Sequence, residues 1–234
     1  MSQTVKPPVA TLAGVHAATV TMAAAKTQHR FSLDNFRITN TRSLHKDTDY
    51  VSVTLAVGKN PPVTKTKAMG DLNNGTFPVG LTFDNVAVDA NVPVVFHYTI
   101  INSGHKSQAD IEKSLQQAGT QLAQKAVEAA AKAIAGEIGS SLGASIGTAA
   151  VPVIGTALGA LSGWLVGNLV GIAFANCDGP VAAAVHVFNA GDLAAKTTGG
   201  HVHTETDHNP GTDSPHGCGS NSDYYVTWSI AEHA

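Results

Sequence analysis

Charge is the scarcest commodity in this chain: Asp, Glu, Lys and Arg make up 13% of its 234 residues, about half the usual share of a soluble domain. The 14 basic residues are outnumbered by 17 acidic ones, for a net charge of −3. No basic excess is present to neutralise a phosphate backbone, which sets nucleic acid aside as a partner. Only two cysteines occur, Cys177 and Cys218, and neither stands in a CxxC or CxxH spacing, which excludes a four-thiolate zinc site. They form one disulfide or remain two free thiols, and the sequence leaves both options open. The chain has no HExxH string, no H-x-E with a later CxxC and no EF-hand loop, so the standard zinc-hydrolase, deaminase and calcium-sensor patterns are missing. Apolar residues stand at an ordinary 43%, and that share argues against disorder.

Strand signals fill the first half. Residues 1–30 read as an N-terminal arm or first strand, rich in Ala, Val and Thr. Phe31, Leu33 and Phe36 then open a strand region, and Tyr50 to Val57 alternates β-branched and small residues before Gly58. Asn74-Gly75 is the dipeptide favoured in tight hairpins, because both residues tolerate positive φ. Phe77 to Phe83, Val86 to Val88 and Val92 to Ile101 continue the pattern. After Cys177, Val181 to Phe188 and Asp223 to Ile230 read as further strands, with a polar loop from Thr197 to Ser222 between them.

Between these strand regions the texture changes. Ser107 is placed to cap a helix whose apolar positions Ile111, Leu115, Ala118, Leu122, Ala126, Ala129 and Ala133 step by three or four. From Ile138 through Cys177 there follow forty residues without one Asp, Glu, Lys or Arg. Pro152 interrupts the run, and the stretch Val151 to Asn176 is long enough to span a bilayer if helical. The expected architecture is α+β: an antiparallel β-sandwich from 31–106 and 177–234, interrupted over 107–176 by a long Gly/Ala-rich helical hairpin.

Within the uncharged run, glycine recurs at Gly139, Gly143, Gly147, Gly155, Gly159, Gly163, Gly167 and Gly171, every gap being four except the one across Val151. Each glycine in a helix interior costs about 0.5–1 kcal/mol relative to alanine. Glycines four apart offset that cost by letting a second backbone approach closely, as between membrane helices. The segment resembles the glycine-zipper hydrophobic hairpins of membrane-active, pore-forming bacterial toxins and effectors. That resemblance implies a chain that is soluble before insertion, then enters a membrane and oligomerises. On it, the eight glycines make helix contacts and Trp164 anchors in lipid or core.

A second cluster, His201, His203 and His208 with Glu205, Asp207, His216 and Cys218 nearby, has donors suited to a divalent transition metal if residues 201–205 are extended. Protonation of these histidines at about pH 5–6 would offer a trigger for loosening the sandwich. Two GxSxG strings surround Ser141 and Ser145, but a nucleophile elbow needs a strand–turn–helix setting that the small-residue helical pattern does not supply. The pairs Asp47/Asp49 and Asp84/Asp89 fit calcium-binding loop ends or plain strand-end turns. Taken together, the residues point to a non-enzymatic protein whose partners are a lipid bilayer, copies of itself, or both. The runner-up to membrane insertion is a self-assembling structural subunit whose small-residue helices pack against copies of themselves.

Overall fold

The computed structural model describes residues 27–43, 46–89, 92–140, 177–211 and 222–233, with side chains in the long helix as far as Lys132. Its strands are β1 (Thr27–Asn40), β2 (Asp47–Val57), β3 (Val63–Leu72), β4 (Gly75–Val88), β5 (Val94–Asn102), β6 (Gly179–Phe188), β7 (His203–Pro210) and β8 (Asp223–His233). Two helices accompany them, α1 (Gln108–Ser140) and α2 (Ala190–Thr197). One antiparallel sheet runs β4-β1-β8-β7 and the other β3-β2-β5-β6. The inward residues of both sheets make one core, in which Phe31 stacks on Phe96 at 5.9 Å, Phe96 meets Trp228 at 6.0 Å, and Phe36 meets Tyr224 at 5.8 Å. A chain with few aromatics thus concentrates them between the sheets, where each buries the most apolar area.

The expectation of an α+β fold built around a helical hairpin is corrected. The described residues are mainly β, and α1 lies alone on the outer face of the β3-β2-β5-β6 sheet. No helical hairpin is found among the described residues. None of their helices is long and apolar enough to cross a membrane, because α1 carries Glu112, Lys113, Lys125, Glu128 and Lys132 on its free side. Residues 141–176, with all the stepped glycines except Gly139 and with Trp164, lie outside the described residues.

Ser107 caps α1 as its position suggested, its hydroxyl accepting the Asp110 amide at 3.2 Å. The buried face is rotated slightly from expectation, running through Ile111, Leu115, Gly119, Leu122, Ala123, Ala126 and Ala130. Asn74-Gly75 does join two strands, but not as a paired hairpin: β3 bonds to β2 and β4 to β1, so the turn crosses from one sheet to the other.

Both open sides of the sandwich are stitched by side chains reaching edge backbone. On one side Lys65 and Lys67 of β3 donate to the carbonyls of Thr82 and Val79 on β4, at 2.5 and 2.7 Å. On the other, Asn209 of β7 accepts the Ala183 amide of β6 at 3.0 Å. The Val79 and Thr82 carbonyls and the Ala183 amide are thereby removed from the edge groups that could pair with a further strand.

At one end of the core sit two buried carboxyls. Asp47 accepts the amides of Arg42 and Ser43 at 2.7 and 2.8 Å and the Tyr224 hydroxyl at 2.7 Å. Asp49 stands 2.9 Å from the same hydroxyl, and its other oxygen has no partner among the described residues. Bonded by three donors, Asp47 is a structural acid rather than the calcium ligand that a strand-end carboxylate can be. Burial, with the neighbouring Asp47 charge, pushes the Asp49 carboxyl well above its ordinary range. A raised carboxyl stabilises the fold while protonated and loses that contribution as pH climbs from its ordinary value of about 3.8 through the folded one. Asp49→Asn, which stays neutral, is therefore expected to gain stability over the wild type at pH 9 relative to pH 5. Urea unfolding at the two pH values checks this, and an unchanged difference in midpoint refutes it.

Candidate functional site

Polar residues gather at the side of the sandwich where edge strands β6 and β7 face each other. Strand β7 has the sequence HTETDHNP, in which His203, Glu205, Asp207 and Asn209 turn inward while Thr204, Thr206 and His208 face solvent. Asp207 is the hub. Its Oδ2 accepts the Tyr98 hydroxyl at 2.9 Å and the Trp228 indole N–H at 3.0 Å, and lies 2.9 Å from His186 Nε2. Asn209 donates to the Tyr98 oxygen at 3.2 Å. Burial alone would raise the Asp207 carboxyl, but the His186, Tyr98 and Trp228 donors outweigh it and hold the group below its ordinary value. Burial and the facing Asp207 charge push the Tyr98 phenol far upward, so it stays a donor.

Next to this hub, Glu205 binds Lys196 of α2 at 2.8 Å and His203 at 2.6 Å. Helix α2 is fixed for the purpose by a reciprocal cap, Asn189 accepting the Asp192 amide while Asp192 accepts the Asn189 amide. His186 and His203 flank the Trp228 ring, at 4.3 and 5.8 Å between centroids. The His186 side chain is 17% exposed and that of Asp207 25%, so this seam reaches solvent through a narrow strip. An Asp–His pair can orient an imidazole as a base, yet no Ser, Thr or Cys bonds to His186 among the described residues. The Tyr98 and His186 contacts of Asp207 cross to the opposite sheet, while Trp228, His203 and Lys196 bond within the β7 side of the seam.

The histidines expected to share a metal are separated by this geometry. His201 precedes β7 and is exposed, His203 points inward to Glu205, and His208 points to the opposite face, stacked on Tyr225 at 4.4 Å and bonded to Asp223 at 2.5 Å. Among the described residues no group of three candidate ligands comes together, which corrects the metal-binding expectation. The reason is the strand period: residues five apart, such as 203 and 208, lie on opposite faces. His216 and Cys218 lie outside the described residues.

A second feature is the pair of attachment points around the uncharged run. Cys177 is disulfide-bonded, and Cys218 is the only other cysteine of the chain. The Cys177 carbonyl accepts Arg42 Nε at 2.8 Å and Asn102 Nδ2 at 3.4 Å. Asp178 accepts the Ser103 hydroxyl and the Gly104 amide, at 2.8 and 3.0 Å, and contacts His105. The return of the run is thus clamped to the turn that launches α1. Its departure, at Ser140, stands about 50 Å away along the 33 residues of the helix.

Sequence reasoning missed the seam because β7 has no apolar alternation. The usable signal was the alternation of Thr with ionisable residues over 203–208. No protein-family model matches this chain, and no curated protein matches it by sequence.

Removing the hub carboxylate leaves the Tyr98 hydroxyl and the Trp228 N–H buried without acceptors. Asp207→Ala is expected to cost about 3–5 kcal/mol, and Tyr98→Phe about 1–2 kcal/mol, since it deletes the donor as well. Denaturant unfolding measures both, and equal losses would contradict the hub role. Because the Asp207 carboxyl is depressed, its contribution is present above about pH 3.8 and is lost as pH falls below that.

Proposed function

We propose that this chain is a non-enzymatic self-association protein, in which a β-sandwich carries an uncharged, glycine-stepped segment that packs against copies of itself. The observation that carries this reading is the run Ile138 to Cys177: forty residues without charge and with glycine at every fourth position over most of its length. Small residues at fixed spacing permit close backbone approach, where dispersion and weak Cα–H contacts accumulate. An apolar surface of this size needs cover.

The anchoring supports the same reading. One end of the run continues from α1 and the other is tied to Arg42, Asn102 and the Ser103–His105 turn, so the sandwich holds its return firmly. A partner of like composition fits better than an anionic lipid surface, because Asp178, not a Lys or Arg cluster, follows the run.

Replacing residues 141–176 with a Gly/Ser linker of equal length is expected to convert an associated species into a monomer while leaving the β-sheet circular dichroism intact. Gly159→Leu should raise the dissociation constant about tenfold or more, or ~1.4 kcal/mol. Sedimentation velocity reads both. A wild-type chain that sediments as a monomer yet floats with zwitterionic lipid vesicles would overturn self-association in favour of a lipid partner.

A further inference from the structure

The face that α1 covers is not an ordinary apolar docking surface. Its ends are: Ile111, Leu115 and Leu122 pack with Tyr50 and Ile101, and Ala123, Ala126 and Val127 pack with Ala56 and Val95. Between them the sheet presents Ser52 and Thr54 from β2 and His97 and Thr99 from β5, all buried. Ser52 Oγ, Thr99 Oγ1 and both ring nitrogens of His97 make no hydrogen bond to any described residue. Gly119 lies directly on this stripe. A Cβ there would collide with the Thr54 hydroxyl and stand 3.3 Å from His97 Nε2.

Two consequences follow. Closing the helix on this face removes hydroxyls and an imidazole from water without replacing their hydrogen bonds, at a cost of about 1–3 kcal/mol for each unsatisfied group. Lifting it returns them to water, so the helix is held less tightly than its length suggests. The inner core, by contrast, has its phenols, its indole and Asp207 paired.

We propose that α1 is a releasable helix, held on the sheet while His97 is neutral and let go when His97 takes up a proton. His97 is fully buried, and among the described residues no carboxylate faces it; only the backbone of Tyr98 and Gly119 favours its charged form. From α1 it meets Gly119, from β2 Thr54 and from β6 Val185, while Thr64 of β3 lies near the same point of Gly119. The described ionisable side chains of α1 — Asp110, Glu112, Lys113, Lys125, Glu128 and Lys132 — are exposed or half-exposed on its other faces. Tyr50 sits at the start of the helix, under the influence of Glu112. The titratable neighbour that acts on His97 is His186, on the opposite face of β6, and it opposes protonation.

Burial lowers the His97 imidazole from its ordinary 6.5 to about 4, outweighing the nearby backbone of Tyr98 and Gly119. The docked state therefore refuses a proton that the released state accepts. Docking weakens as pH falls below 6.5, and the loss is complete below about pH 4. These two values place the release equilibrium at pH 5 about 30-fold higher than at pH 8. The trigger sits under α1 rather than among His201, His203 and His208.

Native-state hydrogen exchange on the full chain tests this, because a helix freed from its sheet is marginal in water and exchanges. Protection of the amides from Ile111 to Ala130, corrected for intrinsic rate, should fall about 30-fold from pH 8 to pH 5 and stay below that of the β5 amides at both pH values. His97→Gln should abolish the fall. Gly119→Ala should lower protection by the same factor at both pH values. A flat wild-type profile, or an equal fall in His97→Gln, overturns the proposal. Should His97→Gln fail to fold, the imidazole resonances decide: a ring that titrates near 6.5 while α1 stays protected also overturns it. The result is independent of the association reading, since a chain that stays monomeric while α1 opens in acid defeats that reading and leaves this one standing.

Discussion

The two sheets are laced together by phenol-to-carboxylate hydrogen bonds that run in opposite directions. Tyr224 of β8 donates across the core to Asp47 of β2, and Tyr98 of β5 donates across it to Asp207 of β7. Each bond joins one sheet to the other, and the two lie on strands far apart in the chain. Aromatic packing between the sheets is tolerant of small slides, because dispersion has no direction. A buried hydroxyl facing a buried carboxylate is not tolerant, since a slide of one residue would leave an unpaired charge in the core. The lacing therefore fixes how the sheets sit on one another, and the positions of α1, α2 and the Cys177 anchor depend on it.

The contrast with the outer face follows from this. Inside the sandwich, the Tyr98 and Tyr224 hydroxyls, the Trp228 N–H and the Asp207 carboxylate have partners, and their removal is expensive. Under α1, Ser52, His97 and Thr99 are buried just as deeply but are unpaired. The first kind of burial specifies one arrangement, and the second lowers the free-energy gap between two. A helix fastened by Leu115 and Leu122 over a stripe of orphaned hydroxyls is a removable part on a fixed frame. Such a division suits a protein whose sandwich must survive while the helix leading into the uncharged run changes position.

Much of the β framework was legible because strands whose core residues alternate with polar or small ones announce themselves, as in Tyr50–Val57 and Asp223–Ile230. Helix α1 was legible from its cap and three-four spacing. Strand β7 was not, because its inward residues are His203, Glu205, Asp207 and Asn209, and a hydrophobic period cannot appear where the buried face is polar. The pairing of β3 and β4 with different sheets was also hidden, since Asn74-Gly75 specifies a turn but not what the strands it joins will bond to. The metal expectation supposed residues 201–205 extended, but the strand starts only at His203, leaves His201 exposed before it, and sends His203 and His208 to opposite faces. His97 drew no notice in the sequence, as a single histidine between Phe96 and Tyr98 on a strand buried on both faces.

That last residue shows what alternation can and cannot reveal. On a strand with one face open to water, a polar residue at an outward position needs no explanation. Once α1 covers the outer face of β5, the same residue becomes a buried imidazole, and its meaning changes from solubility to conditional stability. Thr99 and, on β2, Ser52 show the same pattern, a polar outer face that would be unremarkable on an uncovered sheet. The middle of the outer face, with Ser52, Thr54, His97 and Thr99, is thus compatible with water or helix, while Tyr50, Ala56, Val95 and Ile101 at its ends favour the helix, and the inner face, with Val51, Val53, Phe96 and Ile100, is compatible with burial alone.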